Sequence, residues 1–163
     1  MNKQEILAEI SELKDRLNKL EKMYDSLTPP YKRWRAEKDD DYYFIRAEGI
    51  VCFDRENEAI MDNSRYELGN YFETREEAEF EVERLKVIAE LKEWATPPTD
   101  FDWDNNNRKY ILEVRSTTEK CFLAIDYDYV YQLSDLYFRT KEQAENAIKA
   151  IGEDKIIKYY FRR

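Results

Sequence analysis

The sequence predicts an α+β protein: an N-terminal coiled-coil helix followed by two related small β-β-(β)-α modules. Three observations carry this. Apolar residues repeat in a strict heptad over residues 6–27. The stretch 71–79 recurs at 137–145, an offset of 66. Both copies place a threonine three residues before a Glu or Gln, the signature of a helix N-terminus. The chain has 163 residues, 39% charged and 42% hydrophobic, which is apolar enough for one ordinary folded domain or two very small ones. The boundaries that follow are a helix over 1–28, a first, acidic αβ module over 31–96, a linker over 97–107 and a second αβ module over 108–163.

The helix comes first. Ile6, Ile10, Leu13, Leu17, Leu20, Tyr24 and Leu27 are spaced 4, 3, 4, 3, 4 and 3 residues apart. That is a coiled-coil seam, with Ile10, Leu17 and Tyr24 at a and Ile6, Leu13, Leu20 and Leu27 at d. Glu9 at g then faces Lys14 at e of a parallel partner, and Arg16 at g faces Glu21 at e. Both pairs attract, so the seven seam residues are expected to make a homodimer. Pro29-Pro30 cannot continue the helix.

In the first module, residues 42–54 read as two short strands broken near Glu48-Gly49. Residues 75–95 read as a helix whose core face holds Ala78, Val82, Leu85, Ile88 or Ala89, and Leu91. Thr74 is placed to cap the N–H of Glu77, and the carboxylate of Glu77 to reach back. Residues 97–107, with Asp100, Asp102 and Asp104 before Asn105-Asn106-Asn107, read as a polar linker. In the second module Thr140 and Gln143 repeat the cap. The same offset lays Phe44-Ile45 on Tyr110-Ile111, Val82 on Ile148 and Leu85 on Ile151, and puts Phe72 and Phe138 under the helices that follow them. Gly152 closes the second helix. Residues 156–161 read as a last strand or an extended apolar tail.

Composition excludes several chemistries. The chain contains no His and two Cys, so a zinc site of Cys and His within one chain is excluded, as is any His-dependent triad. Cys52 and Cys121, far apart amid β-prone residues, read as buried small hydrophobes with free thiols. Asp100-Phe101-Asp102-Trp103-Asp104-Asn105 begins like a calcium loop, but Asn105 stands where glycine is needed and Ile111 where the bidentate Glu belongs. Asp39-Asp40-Asp41 sit in a turn where adjacent side chains diverge. No phosphate-cradling glycine loop is present. The expectation is no enzyme, no catalytic residue, no metal and no cofactor. The N-terminus has no apolar core like that of a signal peptide, and no stretch approaches a membrane span. The reading is therefore a cytoplasmic protein without a membrane partner.

The charge is uneven. Net charge is −9 overall, −7 over 31–96, −3 over 97–107 and +2 over 108–163. Such a field repels phosphate, so direct nucleic-acid binding is not expected. Glu76, Glu77, Glu79, Glu81 and Glu83 on the first module's helix offer an acidic surface for a basic groove, with Glu76, Glu79 and Glu83 and, before the strands, Asp39, Asp40 and Asp41 as the contact candidates. Arg33-Trp34-Arg35 places an aromatic anchor beside them, and Trp34 joins the six acids as a partner-binding candidate.

Residues 69–79, Gly-Asn-Tyr-Phe-Glu-Thr-Arg-Glu-Glu-Ala-Glu, followed by Leu85-Lys86-Val87, resemble a module of small accessory proteins of phages and mobile elements of Gram-positive bacteria. Trp34 ahead of Tyr42-Tyr43 and the ending from Ile148 to Phe161 are similar to that group as well. The resemblance covers roughly residues 31–163 and carries no catalytic residues. It implies an inhibitor of a host defence protein, for instance an anti-CRISPR-like protein acting on a CRISPR effector in the host cytoplasm. Two other readings stay open. One is a sponge for an anionic signalling nucleotide, held by aromatic residues and C-terminal Arg or Lys groups. The other is a structural or scaffolding subunit.

Overall fold

A computed structural model of the chain describes residues 3–27, 33–129 and 136–163 and shows a mixed α and β protein. The chain divides into two compact units, residues 1–34 and 35–163. The first contains α1 (Lys3–Leu27), 25 residues long and so about 37 Å. Its described side chains are exposed. The stop at Pro29-Pro30 lies outside the described residues.

The second unit opens with an antiparallel hairpin, β1 (Asp41–Ile45) and β2 (Val51–Arg55), in the register Asp41↔Arg55 to Ile45↔Val51. Gly49 adopts φ +78 where its N–H bonds the Arg46 carbonyl, a left-handed position that favours glycine and explains the break foreseen there. Then come α2 (Ile60–Glu67) and α3 (Arg75–Trp94). The second half holds a hairpin and then a helix: β3 (Lys109–Ser116), β4 (Cys121–Asp128) and α4 (Lys141–Ile151). Thr74 Oγ1 accepts from the N–H of Glu77, and Thr140 Oγ1 from that of Gln143. The carboxylate of Glu77 and the amide oxygen of Gln143 reach back to the N–H groups of Glu73 and Arg139. Each helix is thus started by satisfying backbone donors that have no partner within the helix. No described helix is long and apolar enough to cross a membrane.

Four differences from the sequence reading concern the elements and their packing. First, α2 was not foreseen. Asp62 in its first turn accepts from the N–H groups of Asn57 and Ala59, a cap made by a residue inside the helix. Second, Leu85 is 49% exposed and stands outside the core. Ala78 and Val82 are buried in the first half of α3, where it lies on β1 and β2, and the buried face then moves to Val87 and Leu91, which pack on the second half of the unit. One straight apolar stripe cannot serve two differently placed surfaces. Third, residues 156–161 are no strand. After Gly152 (φ +99) the chain runs through the short α5 (Glu153–Lys155) into a π-helical turn, Ile156–Tyr160, with Ile156 and Ile157 buried.

The fourth difference is register. Tyr43 exchanges both backbone hydrogen bonds with Phe72, and Tyr110 does so with Phe138, all at 2.9 Å. Tyr43, not Phe44, is therefore the counterpart of Tyr110, one residue away from the expected alignment. One extra residue lies between strand and cap in the first half. Because strand side chains alternate, the shift exchanges faces. The buried residue preceding the paired tyrosine is Tyr42 in the first half and Lys109 in the second.

The larger apolar core joins Val87 and Leu91 of α3 to Leu112, Leu136, Phe138, Ala144, Ala147 and Ile156. A smaller one holds Ala36, Tyr42 and Tyr71. Segment 97–107 is more than a polar connector: Phe101 and Trp103 lie edge-on to Tyr137 at 6.0 and 5.0 Å, and Trp103 Nε1 donates to the carbonyl of Pro98. Three substitutions test this account in urea unfolding. Leu91→Ala opens a void in the larger core and is expected to cost about 2–5 kcal/mol. Thr74→Ala and Thr140→Ala each remove one cap and are expected to cost about 1 kcal/mol.

Candidate functional site

The most densely bonded polar groups lie between the first hairpin, α2 and the residues on either side of them. Arg35 meets the Glu56 carboxylate with Nε at 2.9 Å and Nη2 at 3.0 Å, and Nη2 also reaches Asn63 Oδ1 at 2.8 Å. The Tyr71 hydroxyl donates to Glu56 Oε2 at 2.7 Å, and the N–H of Glu58 to Oε1 at 2.7 Å. Beside this hub, the Tyr42 hydroxyl donates to Asp62 Oδ1 at 2.7 Å and accepts from Arg65. Arg65 pairs with Asp54 at 2.7 Å and lies over the Phe44 ring at 3.6 Å. The rings of Tyr42 and Tyr71 stack at 3.9 Å and tie the two halves of the network together.

The Arg35 guanidinium holds the Glu56 carboxyl down at about 2 against the effect of burial, with Tyr71 and a backbone N–H assisting. Burial, then the hydrogen bond to Asp62, pushes the Tyr42 hydroxyl up to about 12. Burial and Glu56 push Tyr71 up as well. The carboxylate therefore stays ionised and the tyrosines stay protonated donors across the ordinary pH range. Glu56 has each oxygen bonded by protein groups, so its chemistry is spent inside the fold. Shifted groups of this kind mark either a working site or a structural one; closed pairing makes this network structural.

The acidic candidates lie elsewhere. Asp39, in the left-handed region at φ +73, and Asp40 are exposed in the turn before β1. Asp41 begins β1 and pairs across the hairpin with Arg55 at 3.5 Å. On α3, Glu76 is exposed, Glu79 pairs with Arg75 at 3.1 Å, and Glu83 pairs with Lys86 at 2.6 Å, which lowers its pKa. Local cations thus partly balance three of the six acids. Exposed pairs of this kind contribute little to stability and open readily.

Only Glu76 of the six lines a cleft of about 590 Å³ shared with Gly69, Phe72, Glu77, Phe80, Glu81 and Arg162. Glu81 meets Arg84 at 2.7 Å and Arg162 at 3.0 Å. Neither Glu76 nor Glu77 forms an ion pair with a described residue. Sequence reading sets Glu77 and Glu81 with Glu76 on the helix's acidic surface but missed Phe72 and Phe80 as surface residues. The available signal was Phe80 itself, an aromatic set among glutamates and off the Ala78–Val82 face.

A second charged cleft, of about 250 Å³, is lined by Asp100, Phe101, Asp102, Asn105, Asn107, Arg108, Lys109 and Arg139. Lys109 is buried, its ammonium bonded to the Asn105 carbonyl and side-chain oxygens and held 5.2 Å from the Trp103 ring. Among the described residues no group of three His, Cys, Asp or Glu is arranged to hold a metal ion. Cys121 is exposed rather than buried, and Cys52 is half-buried; both are free.

In the other unit, the seam residues Ile6, Ile10, Leu13, Leu17, Leu20 and Tyr24 are 41–71% exposed, and the Leu27 side chain lies outside the described ones. Trp34 is 40% exposed. No family model, curated protein or solved structure matches this chain.

The Glu56 hub gives a pH prediction. A carboxyl held below its unfolded value contributes stability above about pH 4.5 and loses it as pH falls toward 2. The shift corresponds to roughly 3 kcal/mol. Glu56→Gln is expected to unfold more easily at pH 7. Its deficit against the native protein, followed by denaturant unfolding, is expected to shrink steadily between about pH 4.5 and 2.

Proposed function

We propose that this chain is a non-enzymatic inhibitor, dimeric through α1, whose acidic surface over 31–96 covers the nucleic-acid-handling groove of a basic host defence protein. A CRISPR effector in the host cytoplasm is one such target. The observation that carries the reading is the contrast between the halves. Both present a capped helix behind a hairpin whose first strand pairs with the residue two before the capping threonine. Yet one half carries −7 and the other +2. The features they share are those that hold a fold, so the charge that separates them serves something else. Asp39, Asp40, Glu76 and Glu79 are exposed, which is what steering toward a basic surface requires. The phage and mobile-element resemblance of residues 31–163 points the same way.

Dimerisation rests on the exposed heptad of α1 and on its attractive pairs, Glu9 with Lys14 and Arg16 with Glu21 of a parallel second copy. Two copies present the acidic surface twice. Sequestration of an anionic nucleotide is the second reading. The small cleft with Phe101, Arg108, Lys109 and Arg139 favours it, offering one ring and three cations. Against it, Asp100 and Asp102 line the same cleft, and Lys109 already has oxygen partners.

Affinity purification from a phage host, followed by mass spectrometry of proteins and small molecules, separates the two. The inhibitor reading expects a large basic protein, released as salt screens charges beyond ~10 Å at 0.1 M. A nucleotide freed on denaturation would contradict it. Two sets of reversals then locate the contact: Asp39, Asp40 and Asp41 to Lys, and Glu76, Glu79 and Glu83 to Lys. At least one set is expected to abolish partner binding with the melting curve nearly unmoved. Leu13→Asp with Leu20→Asp puts like charges in the seam, at a cost of several kcal/mol. Light scattering is expected to report a folded monomer.

A further inference from the structure

The cleft beside α3 combines aromatic walls with carboxylates. Phe72 and Phe80 give it two aromatic walls, and Glu76, Glu77 and Glu81 give it three carboxylates. An adjoining hollow of about 470 Å³ shares Gly69, Phe72 and Glu81 with it and extends past Leu68 and Leu85, two of the exposed leucines of this unit. The two hollows meet at these shared residues in one groove, with an aromatic and aliphatic floor, carboxylates along the first hollow, and Arg46 with Glu81 in the second.

The groove is already engaged at one end by the chain's own C-terminal segment. Arg162 lines it, and its Nη2 meets Glu81 Oε2 at 3.0 Å across 81 residues of sequence. The segment is led there by the π-helical turn, with Tyr159 resting 5.1 Å from Phe80. Arg162 itself stands at φ +56, a left-handed backbone region that disfavours a non-glycine residue. Glu81 is served by Arg84 as well, so it does not require Arg162 for its charge to be met. Glu76 and Glu77 remain without a cation among the described residues.

We infer that this groove is a receptor for an arginine side chain of the basic partner, and that Arg162 is an internal stand-in which the partner's guanidinium displaces. Guanidinium suits the site better than ammonium. It is planar and weakly hydrated, lies against aromatic faces, and meets carboxylates with a fork of donors. The leucine-lined extension takes the apolar neighbours of that arginine. The inference rests on the acidic-surface reading and makes it local.

The probe is fluorescein-labelled hexa-arginine, with hexa-lysine beside it, titrated into the full chain at low salt and read by anisotropy. Arg162→Ala is expected to bind hexa-arginine about threefold more tightly than the native chain. Glu76→Gln with Glu77→Gln is expected to bind it at least about threefold more weakly. Hexa-lysine is expected to gain less from Arg162→Ala than hexa-arginine does. Arg163→Ala removes the same charge one residue away and is expected to change nothing. Equal tightening by Arg162→Ala and Arg163→Ala would overturn the inference, since net charge alone would explain it. Loss of hexa-arginine binding on reversing Asp39, Asp40 and Asp41, with the Glu76/Glu77 pair indifferent, would overturn the groove and leave the acidic-surface reading standing. No binding of hexa-arginine to any form would overturn both.

Discussion

A carboxylate taken out of water sets the terms for the first half of the larger unit. Glu56 is 1% exposed and sits just past the end of β2. An ion there is tolerated only if its oxygens are met by donors as good as water, because an uncompensated buried charge costs several kcal/mol. Three pieces of chain are therefore drawn to it. Arg35 comes from the stretch before β1, Tyr71 from the residues before α3, and the N–H of Glu58 from the turn into α2. Tyr71 brings its ring onto Tyr42, and the Tyr42 hydroxyl brings Asp62 and Arg65. The order of dependence runs from one ion pair to the placement of a hairpin and two helices.

This explains why so small an apolar cluster, Ala36 with Tyr42 and Tyr71, suffices on that side. The other side is built conventionally, with valine, leucine, isoleucine, alanine and phenylalanine from α3, β3, the residues just before α4, α4 itself and the π-helical turn. The helix α3 belongs to both, which is why its buried face moves from Ala78 and Val82 to Val87 and Leu91 partway along.

What the sequence announced and what it concealed divide along the same line. Locally encoded features were legible: the helix α1, the threonine caps of α3 and α4, and the Gly49 turn each depend on residues within a few positions. The hub was not, because Arg35, Glu56 and Tyr71 are separated by 21 and 15 residues and show no period. The exposure of Leu85 and the one-residue register shift also follow from tertiary contacts: a helix shared between two surfaces, and a strand aligned by its bonds to Phe72. For the six acidic candidates, charge counting could not say that only Glu76 lines the groove, nor that Phe72 and Phe80 wall it. In the proposed function, the buried acid keeps the fold and the exposed acids meet the partner. That division lets the surface charge vary without loss of structure.

The claim that the Glu56 ion pair organises this half is tested most directly by a double-mutant cycle on Arg35→Met and Glu56→Gln, measured by denaturant unfolding. Arg35→Met leaves Glu56 buried without its cation, and Glu56→Gln leaves the half-buried Arg35 without its carboxylate. The account predicts that each alone costs about 3 kcal/mol or more and that the double mutant costs no more than the worse single. Two small losses that simply add would contradict it, and the organising role would pass to the stacked Tyr42 and Tyr71 rings.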